Sequence, residues 1–135
     1  MTSTSLIKNR NKVKQVIDFT GVQNGKLHPS DIDGVLEFDN KVLILIEVKR
    51  KFKPIPTGQR LLLERISDSW HTNEKSIVLK VEHECDDENV DIPLNQCKVT
   101  RVYYKKHWVT LPEPQGFVNY VNNLGREWDC KKCKF

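Results

Sequence analysis

The stretch Asp31-Ile32-Asp33-Gly34-Val35-Leu36-Glu37-Phe38-Asp39-Asn40-Lys41-Val42-Leu43-Ile44-Leu45-Ile46-Glu47-Val48-Lys49-Arg50 reads as a β-hairpin. Its first arm intersperses Ile32, Val35, Leu36 and Phe38 with polar residues, Asp39-Asn40 supplies turn chemistry, and the second arm is rich in β-branched residues. That second arm is apolar on both faces until Glu47, the pattern of a central strand covered on both sides. Side chains two apart along a strand share a face, so Glu47 and Lys49 project together from its end. A carboxylate and an ammonium at the rim of a buried strand cost free energy unless they are paired or bind something.

Asp33 is the partner on offer, and register decides whether it reaches Glu47. A two-residue Asp39-Asn40 loop sets Asp33 opposite Ile46, facing away. A three-residue Asp39-Asn40-Lys41 loop pairs Phe38 with Val42 and sets Asp33 opposite Glu47, and a bulge at Gly34 would do the same. One of these devices is expected. Two carboxylates converging on one face suit a hard divalent cation, Mg²⁺ or Mn²⁺, which would lower the pKa of a bound water and stabilise charge as a phosphodiester is attacked. Lys49 beside it would orient the nucleophile or stabilise the developing negative charge.

Working outward, residues 6 to 17 place Leu6, Val13, Val16 and Ile17 on one side of a basic, amphipathic helix, and the glycines and proline of residues 21 to 30 mark a loop. After Pro54 and Pro56, Thr57 is expected to cap a helix through Gln59 to about Trp70, with Leu62, Leu63, Ile66 and Trp70 at helical spacing. Strands are expected at Ile77 to Val81, Val99 to Tyr104 and His107 to Thr110, with an acidic loop from Cys85 to Gln96. Pro114 is expected to open a last helix that ends near Gly125.

The chain has 135 residues, 38% hydrophobic and 30% charged, enough for one core and too few for two ordinary domains. A single domain over residues 1 to 135 is expected, with a basic, cysteine-containing tail from about residue 125. The longest apolar run covers five residues, so no membrane span is expected, and the N-terminus lacks a secretory pattern. A cytoplasmic location follows as an expectation, in a bacterium or a phage-infected host. The net charge of +4 is mild, but its distribution is not even. Lys8, Arg10, Lys12 and Lys14 crowd one segment and Arg50, Lys51 and Lys53 another, and clustered cations bind phosphates.

Ser30-Asp31-Ile32-Asp33-Gly34-Val35, followed by Leu45-Ile46-Glu47-Val48-Lys49-Arg50, resembles the PD-(D/E)xK nuclease superfamily, with the spacing Asp33-x13-Glu47-x-Lys49. The resemblance covers mainly residues 30 to 50. It implies an α/β, restriction-endonuclease-like αβββαβ sandwich with a central mixed β-sheet flanked by helices. It also implies hydrolysis of phosphodiester bonds with a divalent metal held by the Asp33 and Glu47 carboxylates and the Val48 carbonyl, with catalytic support from Lys49. DNA is the expected partner, including branched, recombination or replication intermediates, contacted by Arg50, Lys51, Lys53, Gln59 and Lys12. Paired cuts in a branched substrate would call for a homodimer. Where many members carry a further glutamate on the first helix, residues 6 to 17 have none; Ile32-Asp33 replaces the usual Pro-Asp, and Asp31 stands as a competing ligand.

Cys130-x2-Cys133 has zinc-knuckle spacing, and Cys85 and Cys97 would complete a four-sulfur Zn²⁺ site if the acidic loop lay near the tail; free thiols are the alternative. Two other functions compete with the nuclease: a catalytically inactive nucleic-acid-binding module on the same fold, and a zinc-stabilised interaction protein.

Overall fold

The apolar run Val42–Ile46 is almost wholly excluded from solvent, with Ile44 at 0% exposure, because it lies inside a mixed five-stranded sheet with a helix on each face. The computed structural model describes residues 17–135, and the chain divides after Asp31 into two units. In the first, residues 17–31, a single bridge between Asn24 and Leu27 closes a turn in which Gly25 has a φ of 61°. This agrees with the loop expected there. The helix expected over residues 6 to 17 lies, except for Ile17, outside the described residues, as does Lys12.

In the second unit the elements run β1 (Gly34–Phe38), β2 (Val42–Arg50), α1 (Thr57–Asp68), β3 (Ser76–His83), β4 (Lys98–Tyr104), β5 (His107–Gly116) and α2 (Phe117–Glu127). Spatial order follows chain order, β1-β2-β3-β4-β5, and only β2 and β3, joined through α1, are parallel. A parallel pair needs such a crossover, whereas hairpins serve the antiparallel neighbours. The fold is thus α/β with a mixed sheet and flanking helices. Two strands precede α1 among the described residues, where the αβββαβ pattern has three.

The hairpin adopts the longer loop. Phe38 pairs with Val42, Asp39 and Asn40 take left-handed φ values of 54° and 60°, and the Lys41 N–H donates to the Phe38 carbonyl at 2.9 Å. Aspartate and asparagine tolerate that conformation better than most residues.

Alternation along β2 sorts the core into two clusters. Val42, Ile44 and Ile46 join Ile77, Leu79 and Val81 of β3 beneath Phe117, Val121 and Leu124 of α2. Leu43 and Leu45 point the other way, to Val78, Tyr103 and Leu63 of α1.

Three boundaries differ from the sequence reading. Pro56 holds the cap position of α1 and makes no side-chain cap bond, so Thr57 is the first helical residue rather than the cap. Pro114 does not open the last helix; β5 absorbs Pro112 and Pro114 and α2 starts at Phe117. β5 is an edge strand, and both prolines fall where its register with β4 breaks, between the Val99–Gln115 and Arg101–Thr110 pairs, so their missing N–H groups take no bond from the ladder. Gly125 lies inside α2 rather than ending it, and a Cβ there would come within 2.2 Å of the Cys133 carbonyl oxygen, so the tail can lie against the helix only over glycine. Among the described residues no helix is long and apolar enough to cross a membrane.

Candidate active site

The parallel strands β2 and β3 end together, at Arg50 and His83, and the antiparallel β1 begins at that same end. Open α/β sheets tend to place ligands outside the carboxyl ends of their parallel strands. Here that end carries the charged residues.

Register brings Asp33 to Glu47. The last β1–β2 pair is Gly34 with Ile46, so one residue further Asp33 stands across from Glu47, as the three-residue loop requires. The Asp33 carboxylate is fixed there by the Val48 backbone N–H, which donates to Oδ2 at 2.7 Å. A charge-assisted bond of this kind holds a carboxylate more firmly than a neutral acceptor. Val48 therefore contributes its N–H to the site. Gly34 opposes Ile46 closely, since a Cβ at residue 34 would lie 3.3 Å from the Ile46 Cδ1.

Glu47 follows Leu43 and Leu45 on the face that packs α1, and it is only 3% exposed. Its Oε2 is buried without a hydrogen-bond partner. Burial first, then the nearby Asp33 carboxylate, raise the Glu47 pKa from 4.5 to about 7; a side-chain hydrogen bond from Gln59 and the charge of Lys49 oppose the rise. Gln59 belongs to the first turn of α1, so the helix that covers this face also delivers an amide to the buried carboxylate. Lys49, half-buried, closes the strand on the same face.

Further polar residues meet these on β3 and β4. Glu47 is paired in register with Lys80 and Lys49 with Glu82, so Glu-x-Lys on one strand faces Lys-x-Glu on the next. Lys80 is 6% exposed, and its Nζ bonds the Glu82 carboxylate at 2.9 Å along its own strand rather than crossing to Glu47. Next in the row comes Arg101, in register with Lys80, its guanidinium 5.1 Å from the centre of the Trp108 ring and its Nε buried without a partner. From the residue just before β1 across β2, β3 and β4, the row reads Asp33, Glu47, Lys80, Arg101, two acids and then two bases. The sequence reading missed Lys80, Glu82 and Arg101. A signal for the first two existed: Lys80-Val81-Glu82 ends an apolar run just as Glu47-Val48-Lys49 does.

The basic residues expected to contact phosphates are differently placed. Arg50 bonds Asp86, and Lys51 bonds Glu84 at 2.7 Å, so the acidic loop after β3 lies against the basic run after β2. Lys53 is exposed, and Gln59 is engaged with Glu47. Asp31 belongs to the preceding unit, residues 17–31.

Tyr103 and Trp108 are packed residues: the Tyr103 hydroxyl donates to Asp68 at 2.9 Å and the Trp108 Nε1 donates to Glu64 at 2.6 Å. Burial and the Asp68 carboxylate hold the Tyr103 pKa up at about 12. The cysteines are all free thiols; Cys97 and Cys133 are buried in the α2-side core, bonded to the carbonyls of Pro93 and Val121. Among the described residues no three histidine, cysteine or acidic side chains come together as a metal-holding group. A cavity of about 500 Å³ is bordered by Lys51, Glu82, Cys85, Cys97 and Pro114, and none of Asp33, Glu47 and Lys49 lines it.

Comparison with models of known protein families, with curated proteins and with solved structures found no match.

Proposed function

We propose that the Asp33, Glu47, Lys49 cluster is the active site of a divalent-metal-dependent nuclease that hydrolyses phosphodiester bonds in DNA, on a restriction-endonuclease-like fold of the PD-(D/E)xK type. The observation that carries this reading is Glu47: a buried carboxylate, its Oε2 without a partner, held beside a second carboxylate until its pKa reaches about 7. Perturbed acids of this kind gather at functional sites.

The residues fit the ion that the resemblance implies. Two adjacent carboxylates provide the hard oxygen donors that Mg²⁺ or Mn²⁺ prefers, and an ion held by few protein ligands keeps waters and takes phosphate oxygens. When bound, such an ion activates water and stabilises charge on the phosphodiester. Asp33 is held for that role by the Val48 N–H, and Glu47 by Gln59. Lys49 places a cation at the rim, where a scissile phosphate gains negative charge, and Lys80, tied to Glu82, keeps the buried row from being wholly acidic.

Incubation of single-stranded, double-stranded and branched DNA with Mg²⁺ or Mn²⁺ tests the reading. Cleavage is expected, together with its loss in Lys49→Ala and Asp33→Asn, while the melting temperature rises on adding Mg²⁺ to the parent protein but not to Asp33→Asn. Metal-independent cleavage, or activity that survives Lys49→Ala, would sink it.

A second reading has its own support, since the register also describes a cross-strand charge lattice, Glu47 with Lys80 and Lys49 with Glu82. Cross-strand opposite charges do stabilise sheets. The lattice requires Lys80 to bond Glu47, and it bonds Glu82 instead.

A further inference from the structure

Between β2 and α1 the chain makes a tight turn, Arg50-Lys51-Phe52-Lys53. The Lys53 N–H donates to the Arg50 carbonyl at 3.0 Å, and the Lys51 N–H donates to the His83 carbonyl at 2.8 Å, which ties the turn to the end of β3. Phe52 occupies its third position with a φ of 70°. Turns that need a left-handed residue there take glycine or asparagine, and a bulky side chain in that conformation carries strain. Burial does not compensate, because Phe52 is 83% exposed. Neither backbone preference nor core packing explains a phenylalanine here.

Its surroundings do suggest a ligand. The Lys51 Nζ lies 5.2 Å from the ring centre, and Lys53 follows it in an exposed position. Lys49 of the candidate site is three residues away along the chain. An exposed ring beside one ammonium group, and flanked in sequence by two lysines, matches an unpaired nucleotide: the base stacks on the ring and the flanking phosphates meet the cations. The Lys51–Glu84 contact is a solvent-exposed ion pair, which a phosphate can displace.

We propose that Phe52 is a stacking residue that receives an unpaired base, so that the substrate class is DNA offering single-stranded or forked segments next to the scissile bond. The inference rests on the nuclease reading for the cleavage it would serve, but stacking can be measured without cleavage. The full chain, in EDTA, is titrated against a labelled forked DNA and a fully paired duplex of equal length. The parent protein, Phe52→Ala and Phe52→Gly are compared. Phe52→Gly relieves the left-handed strain, so it folds at least as well as the parent and guards against a folding artefact.

Both variants are expected to lose about tenfold or more in affinity for the fork and to stay within about twofold on the duplex. A 2-aminopurine at the unpaired position should change its fluorescence on binding the parent protein and not the variants. Equal losses on both DNAs, or none on the fork, would overturn the proposal. If fork affinity depends on Phe52 while no metal supports cleavage, stacking stands and the nuclease reading falls. Metal-dependent cleavage together with fork affinity that is indifferent to Phe52 does the reverse.

Discussion

The two faces of the sheet are built from the same strands and differ in what they bury. Under α2, the side chains of Ile44, Ile46, Leu79, Val81 and Val99 meet Phe117, Val121 and Leu124 in an apolar layer. Under α1, Leu43, Leu45, Val78 and Leu63 make a smaller apolar patch, and the buried polar residues Glu47, Lys80, Ser67 and Ser76 all lie on this side. At the end of the face where α1 packs on β3, Ser67 and Ser76 satisfy each other at 2.9 Å. At the other end Glu47 is left with an orphaned oxygen. Burying a polar group without a partner costs stability, so a fold selected only for stability would have filled that end as it filled the opposite face. The α2 face holds the molecule together, and the far end of the α1 face, where the buried charged row lies, is where the proposed chemistry would sit.

Several changes break or sharpen this contrast, taken from the largest effect to the smallest. Glu47→Ala or Lys49→Ala should lower Mg²⁺-dependent cleavage by about 10²-fold to 10³-fold, the range for removing one preorganised electrostatic group, and initial rates on a labelled DNA would show it. Retained activity would transfer the chemistry elsewhere. Leu63 is the fully buried apolar anchor of α1. Leu63→Ala should cost about 2–5 kcal/mol in urea unfolding, as core truncations do, and should loosen the helix that brings Gln59 to Glu47.

Glu47→Gln separates stability from function through pH. The Glu47 pKa is raised in the folded state, from 4.5 to about 7, so the folded protein holds its proton more tightly. Stability is therefore full below pH 4.5 and falls as pH rises through the window to about 7. The glutamine variant, which mimics the protonated acid, should match the parent near pH 4 and exceed it at pH 8 by at most about 3 kcal/mol. Parallel stability curves across that range would mean that Glu47 is not held in this state. Smallest of all, removing the exposed Lys51–Glu84 pair by Glu84→Gln should leave the melting temperature where it was, while raising affinity for DNA in low salt.

Much of this was legible because one short segment over-determined its own geometry. Asp33, Glu47 and Lys49 could share a face only if Asp39-Asn40-Lys41 formed a three-residue loop or Gly34 a bulge, and the loop is what forms. The rest depended on neighbours remote in the chain. Pro114 suits a helix start as well as an edge strand, and only the position of β5 at the sheet edge decides between them. Arg50 and Lys51 read as free cations until the loop carrying Glu84 and Asp86 is seen against them. Lys80 read as one residue of a strand over Ile77 to Val81 and Glu82 fell outside it, because nothing local says that this strand lies parallel to β2 in the register that opposes Lys80 to Glu47.

The most direct test of the central claim is a crystal structure soaked in Mn²⁺, with anomalous scattering locating the metal. The expected result is a Mn²⁺ peak between the carboxylates of Asp33 and Glu47, absent in Asp33→Asn crystals. An empty site with the Lys80 ammonium turned onto Glu47 would contradict it and leave a charge lattice in place of an active site.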